Sequence, residues 1–258
     1  IAEPDVALLT NIGPVHLEQL GSIEAIAAAK ASLIAGLKPG GTAIVPRDEP
    51  LLAPHLRDDV TTVEFGPGDD LGDLELPFSS AYMRLNAAAA LAAARAVGVE
   101  PHGLVEVALS ELRGQRIELP GGVTIVNDCY NANPMSMRAA LDDLAAAAPG
   151  RKVAVLGDML ELGPDEERFH RDIGDHARAA GVDLLVTVGP RAGAMEGDKA
   201  VADAAEAAAL LPELLADGDT VLVKASRGVG LEVVAEALTG KTRFALPSSQ
   251  ARTSERRH

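Results

Sequence analysis

Eight consecutive residues, Asn127-Asp128-Cys129-Tyr130-Asn131-Ala132-Asn133-Pro134, pack polar side chains able to bind a nucleotide into one strand-to-helix turn. Side-chain amides donate and accept, a carboxylate accepts, and a tyrosine adds a hydroxyl. The stretch follows the apolar, β-rich run Val123-Thr124-Ile125-Val126 and leads into a helix that opens at Pro134. Proline suits the first helical turn, where its missing N–H costs nothing, and Asn133 stands where an N-cap belongs. An ordinary capped turn would use the same Asn133 and Pro134. What goes beyond it is the order D-x-Y-N-A-N-P.

Further candidates follow other strand-like runs. Asn11 and His16 lie just after Val6–Thr10, and in open α/β sheets ligands sit at the carboxyl ends of strands. Taken alone, His16 also suits a structural role. Asp158 and Glu161 lie in Leu156-Gly157-Asp158-Met159-Leu160-Glu161-Leu162-Gly163. Two carboxylates there can bind a ligand or complement a helix dipole. Lys224, Ser226 and Arg227 follow the last strand. Lys30, in an alanine-rich helix, reads in isolation as a solvated lysine. Arg116 reads in isolation as a surface arginine. Cys129 reads as a buried, inert thiol. Gly240-Lys241-Thr242 resembles the end of a phosphate-binding loop, but Ala235 stands where that pattern needs glycine, and a helix rather than a strand precedes it.

The elements that position these residues alternate. Strands are predicted at 6–10, 42–45, 60–65, 115–119 and 123–127, with helices at 22–37, 82–97 and 104–112. Ser22 is the expected cap of the helix at 22–37. Pro120-Gly121-Gly122 signals a hairpin. From Pro134 the rhythm is regular: helices at 135–147, 165–180, 201–215 and 229–238 alternate with strands at 152–156, 184–188 and 220–224. Continuous apolar strands between helices predict a parallel sheet covered on both faces. The expected division is 1–126, then 127–240, then a disordered Ser/Arg-rich tail at 241–258.

Composition limits the function classes. The 258 residues carry a net charge of −15, which argues against nucleic acid or an anionic membrane as a partner. Aromatics are only 2%, so Ala, Val and Leu must build the core. A single cysteine excludes an intrachain disulfide and fits a reducing compartment. No apolar run reaches the ~18 residues of a membrane span. The start, Ile1-Ala2-Glu3-Pro4, has no signal-peptide pattern and reads as the middle of a longer protein.

The D-x-Y-N-A-N-P turn resembles the hinge motif of the Mur ligases, in the branch that adds D-alanyl-D-alanine. T-N-I-G-P-V-H-L-E at 10–18, the A-A-K ending at Lys30, L-G-D-M-L-E-L-G at 156–163 and K-A-S-R at 224–227 resemble further segments of that family. Asn86 matches the second asparagine of an H-N-x-x-N-x-x-A-A pattern, whose first two positions here are Tyr82 and Met83. The resemblance implies a truncated P-loop-type ATPase domain followed by a Rossmann-like α/β C-terminal domain. It implies an ATP-dependent ligase joining UDP-N-acetylmuramoyl-tripeptide to D-alanyl-D-alanine through an acyl phosphate, in the cytoplasm of a bacterium with a cell wall. The implied ATP contacts are Asn86, Arg116, Asp128, Tyr130, Asn131 and Asn133. The implied substrate contacts are Asn11, Asp158, Glu161, Lys224, Ser226 and Arg227. His16 and Lys30, the latter as a carbamate, are the implied catalytic residues and Mg²⁺ ligands, with closure about the hinge assembling the site. Two rivals remain open: another ligase of the Mur or folylpolyglutamate type, and a non-catalytic α/β substrate-binding module.

Overall fold

The computed structural model describes residues 3–107 and 112–240. In the first unit β1 (Val6–Leu8), β2 (Thr42–Pro46) and β3 (Thr61–Phe65) form a parallel sheet in that order. A short helix α1 (Leu17–Leu20) leads to α2 (Ile23–Ala35), whose cap is Ser22: its hydroxyl accepts from Ala25 N at 3.1 Å. Alternation along β2 builds two cores. Ala43 and Val45 pack with Ala27, Ala31 and Ile34 of α2, while Ile44 packs with Ala88, Ala89 and Leu91 of α3 (Ala81–Ala96). The sheet is therefore sandwiched between α2 and α3, and the carboxyl end of β1 feeds the loop carrying Asn11 and His16.

A small parallel pair, β4 (Leu74–Glu75) and β5 (Gly103–Leu104), follows. Leu104, predicted to open a helix, thus lies in a strand, and residues 108–111 of that expected helix fall outside the described residues.

The second unit is a six-stranded sheet. The strands β6 (Gln115–Glu118) and β7 (Thr124–Asn127) form the expected antiparallel hairpin around Gly121 and Gly122, both at positive φ. With β8 (Lys152–Gly157), β9 (Leu184–Val188), β10 (Lys199–Val201) and β11 (Thr220–Lys224), the order is β10-β9-β8-β11-β7-β6, and all pairs but β6–β7 are parallel. Helices α4 (Pro134–Ala147) and α5 (Glu166–Ala179) cover one face, where Met137, Leu141 and Ile173 meet Ala154, Leu156 and Leu222. The other face lies under α6 (Ala204–Leu214) and α7 (Glu232–Leu238), where Leu211 and Val234 meet Val153, Val221 and Val223.

Two expectations change. Lys199–Val201 forms an edge strand rather than entering the helix predicted from 201, and Asp203 caps that helix instead. The hairpin at 115–127 hydrogen-bonds into the second sheet through β11, so sheet membership divides the chain before Gln115 rather than at 127. The β7-α4-β8 connection steps over β11, which returns last to fill the gap. The carboxyl ends of β7, β11 and β8 therefore stand side by side, a switch-point arrangement.

Candidate functional site

Those three strand ends carry three of the motifs, and buried polar side chains lock them together. Lys224, only 2% exposed, donates to Asp128 Oδ2 at 2.5 Å and to the Asn131 carbonyl at 2.9 Å. The other Asp128 oxygen accepts from Gly114 N at 3.0 Å. Ser226, 4% exposed, donates to the Ala132 carbonyl at 3.3 Å and accepts from Leu160 N at 2.9 Å. Asp158, 5% exposed, accepts from Ala192 N at 2.7 Å. Lys224, Ser226 and Asp158, read from the motifs as substrate-facing, are thus turned inward. A buried charge or hydroxyl must be satisfied internally, and here each partner belongs to a neighbouring loop.

What the turn exposes is different. Tyr130 is 47% exposed, and the guanidinium of Arg113 lies 3.7 Å from its ring centroid, a cation–π stack. Asn131 is exposed, with its Oδ1 on Ala132 N at 2.9 Å. Asn133 caps α4 in a capping box: its Oδ1 accepts from Ser136 N at 2.9 Å, and the Ser136 hydroxyl accepts from Asn133 N. Cys129 is buried, its thiol donates to the Val223 carbonyl, and burial pushes its pKa up to about 12, so it is no nucleophile.

The first unit meets this edge at the loop after β1. His16, at φ 57, contacts Glu161 through Nδ1, and Glu18 N donates to the Glu161 carbonyl at 3.2 Å. Lys30 is half-buried on α2 and donates to the Asn11 carbonyl at 2.9 Å. Burial pulls its ammonium below the ordinary lysine range, with Glu49 opposing. Asn11 and Lys30 are thus brought together, whereas His16 is engaged by the second unit. Ser80 at the start of α3 donates to Asp143 of α4 at 2.5 Å, a further link between units. Asn86 is half-buried on α3, and Arg116 and Arg227 are exposed, the latter paired with Glu232 at 3.2 Å.

Among the described residues no group of three His, Cys, Asp or Glu side chains is arranged to hold a metal ion. No helix among them is long and apolar enough to cross a membrane. One cleft, of about 470 Å³, runs along edge strand β3 under α3 and includes none of the candidate residues.

Sequence reasoning missed Arg113 and Arg191. Arg113 stood beside the chosen Arg116, and only the fold shows which of the two reaches Tyr130. The guanidinium of Arg191 lies 2.7 Å from Glu166 and 3.8 Å from Asp158. Nothing in its local sequence marks it.

Two α/β units, the second with a switch-point edge closed by a D-x-Y-N-A-N-P turn, define a class. Residues 1–76 match the Mur ligase middle domain and residues 112–227 the Mur ligase, glutamate ligase domain. The chain belongs to the Mur ligase family. Within it, the chain is similar to UDP-N-acetylmuramoyl-tripeptide–D-alanyl-D-alanine ligase of Bacillus subtilis (strain 168), 35% identical over 274 residues, covering 92% of this chain and 60% of the relative. That aligned stretch exceeds the length of this chain, so the relative carries residues inside the match that this chain lacks. The fold is similar to the solved MurF ligase from Thermotoga maritima in complex with ADP, with TM-score 0.80 and 29% identity over 93% of this chain and 64% of that one. A MurF structure from Acinetobacter baumannii gives TM-score 0.79 at 28% identity, covering 92% and 60%. The chain spans about three-fifths of the length of the curated relatives it matches.

Proposed function

We propose that this chain forms the nucleotide-engaging and C-terminal portion of a cytoplasmic, ATP-dependent ligase. The enzyme joins D-alanyl-D-alanine to UDP-N-acetylmuramoyl-tripeptide through an acyl phosphate. One observation carries the reading: the Asp128–Pro134 turn is locked from within by Lys224 and Ser226 while its planar groups, Tyr130 and Asn131, face outward. The relatives named for this reaction, and one solved with ADP, support it.

The chain's residues divide the work. The Arg113–Tyr130 stack offers a flat platform beside a base. The side-chain NH₂ of Asn131 is left to meet a base edge, since its Oδ1 is held by Ala132 N. Arg116 and Asn86 add a cation and an amide. Holding two substrates and a nucleotide at one junction turns encounter into positioning, a large share of what such a reaction needs.

As they stand, the residues do not fit a magnesium ion. His16 is taken by Glu161, a poor match to a cation that prefers oxygen, and Lys30 is itself a cation. Burial lowers the proton affinity of Lys30 and so raises its share of neutral amine, whose lone pair can add to CO₂ with loss of a proton, replacing the positive charge by a carbamate.

The chain contains two tyrosines and no tryptophan, so Tyr82→Phe leaves Tyr130 as the sole emitter. Titration of that variant with ADP should change its emission saturably. These residues contain no G-x-x-x-x-G-K-[ST] pattern, so turnover is expected from a polypeptide that also supplies a phosphate-binding loop. Phosphate release from ATP should then require both the tripeptide nucleotide and D-alanyl-D-alanine. An unresponsive Tyr130 at millimolar ADP, or release needing neither peptide substrate, refutes the reading.

A further inference from the structure

Where the loop after β1 meets the turn after β8, both segments bend through the left-handed region. His16, immediately before α1, sits at φ 57, and Glu161 at φ 64. That backbone is strained for any residue with a side chain and persists where surrounding contacts hold it.

Here the contacts are each other. His16 Nδ1 contacts Glu161 Oε2, and Glu18 N donates to the Glu161 carbonyl at 3.2 Å, so the first unit engages Glu161 through side chain and main chain together. Gly163, at φ 70, lies against α1: a Cβ there would sit 3.6 Å from Glu18 N. On the other flank a Cβ on Gly13 would fall 2.1 Å from Met135 Sδ, so the loop needs glycine to admit Met135. Met135 is the second residue of α4, next to the 128–133 turn. Two elements of the second unit thus grip one loop of the first.

The grip is light. The His16 and Glu161 side chains are 54% and 43% exposed, so water competes for their contact and salt screens it. The strain carried by both residues subtracts from what the contact contributes. A junction built this way fixes an arrangement and still releases easily, unlike the buried Lys224–Asp128 pair. The same loop carries Asn11, whose carbonyl accepts from Lys30 at 2.9 Å.

We propose that Glu161 is a positioning residue acting across the unit boundary, the catch of a releasable clasp in which His16 and Glu18 are the keeper. Shut, the clasp lets the second unit set the loop at 11–18, and with it Asn11 and Lys30, relative to Tyr130 and Asn131. Released, His16 and Glu161 leave the left-handed region, and the relief of strain favours the open arrangement. The inference rests on this geometry and stands apart from the ligase reading, which fails separately, at the Tyr130 titration with ADP.

The test is pulsed electron–electron resonance on the full chain, spin-labelled at Thr62→Cys on β3 and Ala205→Cys on α6, both exposed, while Cys129 is buried and stays unlabelled. The chain without further changes should give one compact distance distribution. Glu161→Gly removes the catch and suits the left-handed backbone. It should raise the ratio of extended to compact distances about fivefold, the upper scale of a solvent-exposed pair, with melting at or above the wild-type temperature. His16→Ala should do the same, and the double variant no more than either single. Glu161→Gln, which keeps an oxygen and the main-chain bond, should fall between. Glu196→Gly, at φ 54 in the second unit, relieves the same kind of strain without touching the clasp and should leave the distances unchanged. Each variant is measured again with Ser80→Ala, which removes the Ser80–Asp143 link between the units. Distances unmoved by Glu161→Gly in both backgrounds, additive effects of His16→Ala and Glu161→Gly, or an opening that Glu196→Gly reproduces, overturns the proposal.

Discussion

Replacing Lys224 by methionine keeps an apolar stem of similar reach and deletes the ammonium. In the native fold that ammonium lies 2.5 Å from Asp128 Oδ2 and 2.9 Å from the Asn131 carbonyl, in a side chain 3% exposed. Its loss leaves a carboxylate and a carbonyl facing a thioether. Breaking a buried pair from one side costs about 3–5 kcal/mol. Asp128 is still 24% exposed and keeps its bond from Gly114 N, so water and one donor remain; this places the loss at the low end, ~3 kcal/mol. At the size of this chain that is a fall in Tm of roughly 6–12 °C. Circular dichroism melts at neutral pH of wild type, Lys224→Met, Asp128→Asn and the double variant measure it. Because the double variant removes both charges, its loss should be smaller than the sum of the singles by at least ~1 kcal/mol. A Lys224→Met melt within ~2 °C of wild type, or strictly additive singles, would show that the pair does not tie β11 to the turn.

Two further outcomes test other parts of the structure. Burial holds His170 below its ordinary value of 6.5, and its ring accepts from Met159 N, so the neutral form favours the fold; that stability should be complete above pH 6.5 and fall away as pH drops through the lower folded value. His170→Gln should flatten this acid dependence, and a melt series in which wild type and variant lose stability in parallel would exclude His170 as its source. Gly174→Ala on α5 would put a Cβ 2.0 Å from the Met195 carbonyl oxygen, so urea unfolding should show a loss of ~3 kcal/mol, whereas Gly193→Ala, with open space around it, should change little.

Much of this architecture is legible in the chain. Apolar strands such as Val153–Leu156 and Val221–Val223 admit few other readings, and Ser22 and Asn133 cap the helices they appear to cap. What escapes is whatever depends on distant partners. Lys199–Val201 is too short and too exposed to read as a strand, and exists because β9 offers an edge. Asp128 and Tyr130 stand two residues apart in one motif, yet the turn points Asp128 inward to Lys224 and Tyr130 outward to solvent. Spacing in sequence carries no information on which way a loop residue faces. Gly174 looks like a helix weakness until the Met195 carbonyl is seen against it.

Among the described residues, the turn at 128–133 is hydrogen-bonded to the second unit alone. Asp128 N donates to the Val223 carbonyl, Lys224 and Ser226 grip Asp128, Asn131 and Ala132, and Asn133 starts α4. Leu112 and Gly114 are bonded to the same turn. A swing of one unit past the other that kept these bonds would leave this segment unbent. The D-x-Y-N-A-N-P segment is then a passenger rather than a pivot. It would carry a base resting on Tyr130 along an arc, while Lys30 and Asn11 stay on the other body. Distances within the turn would hold constant through such a stroke, and the span from Asn131 to Lys30 would record it.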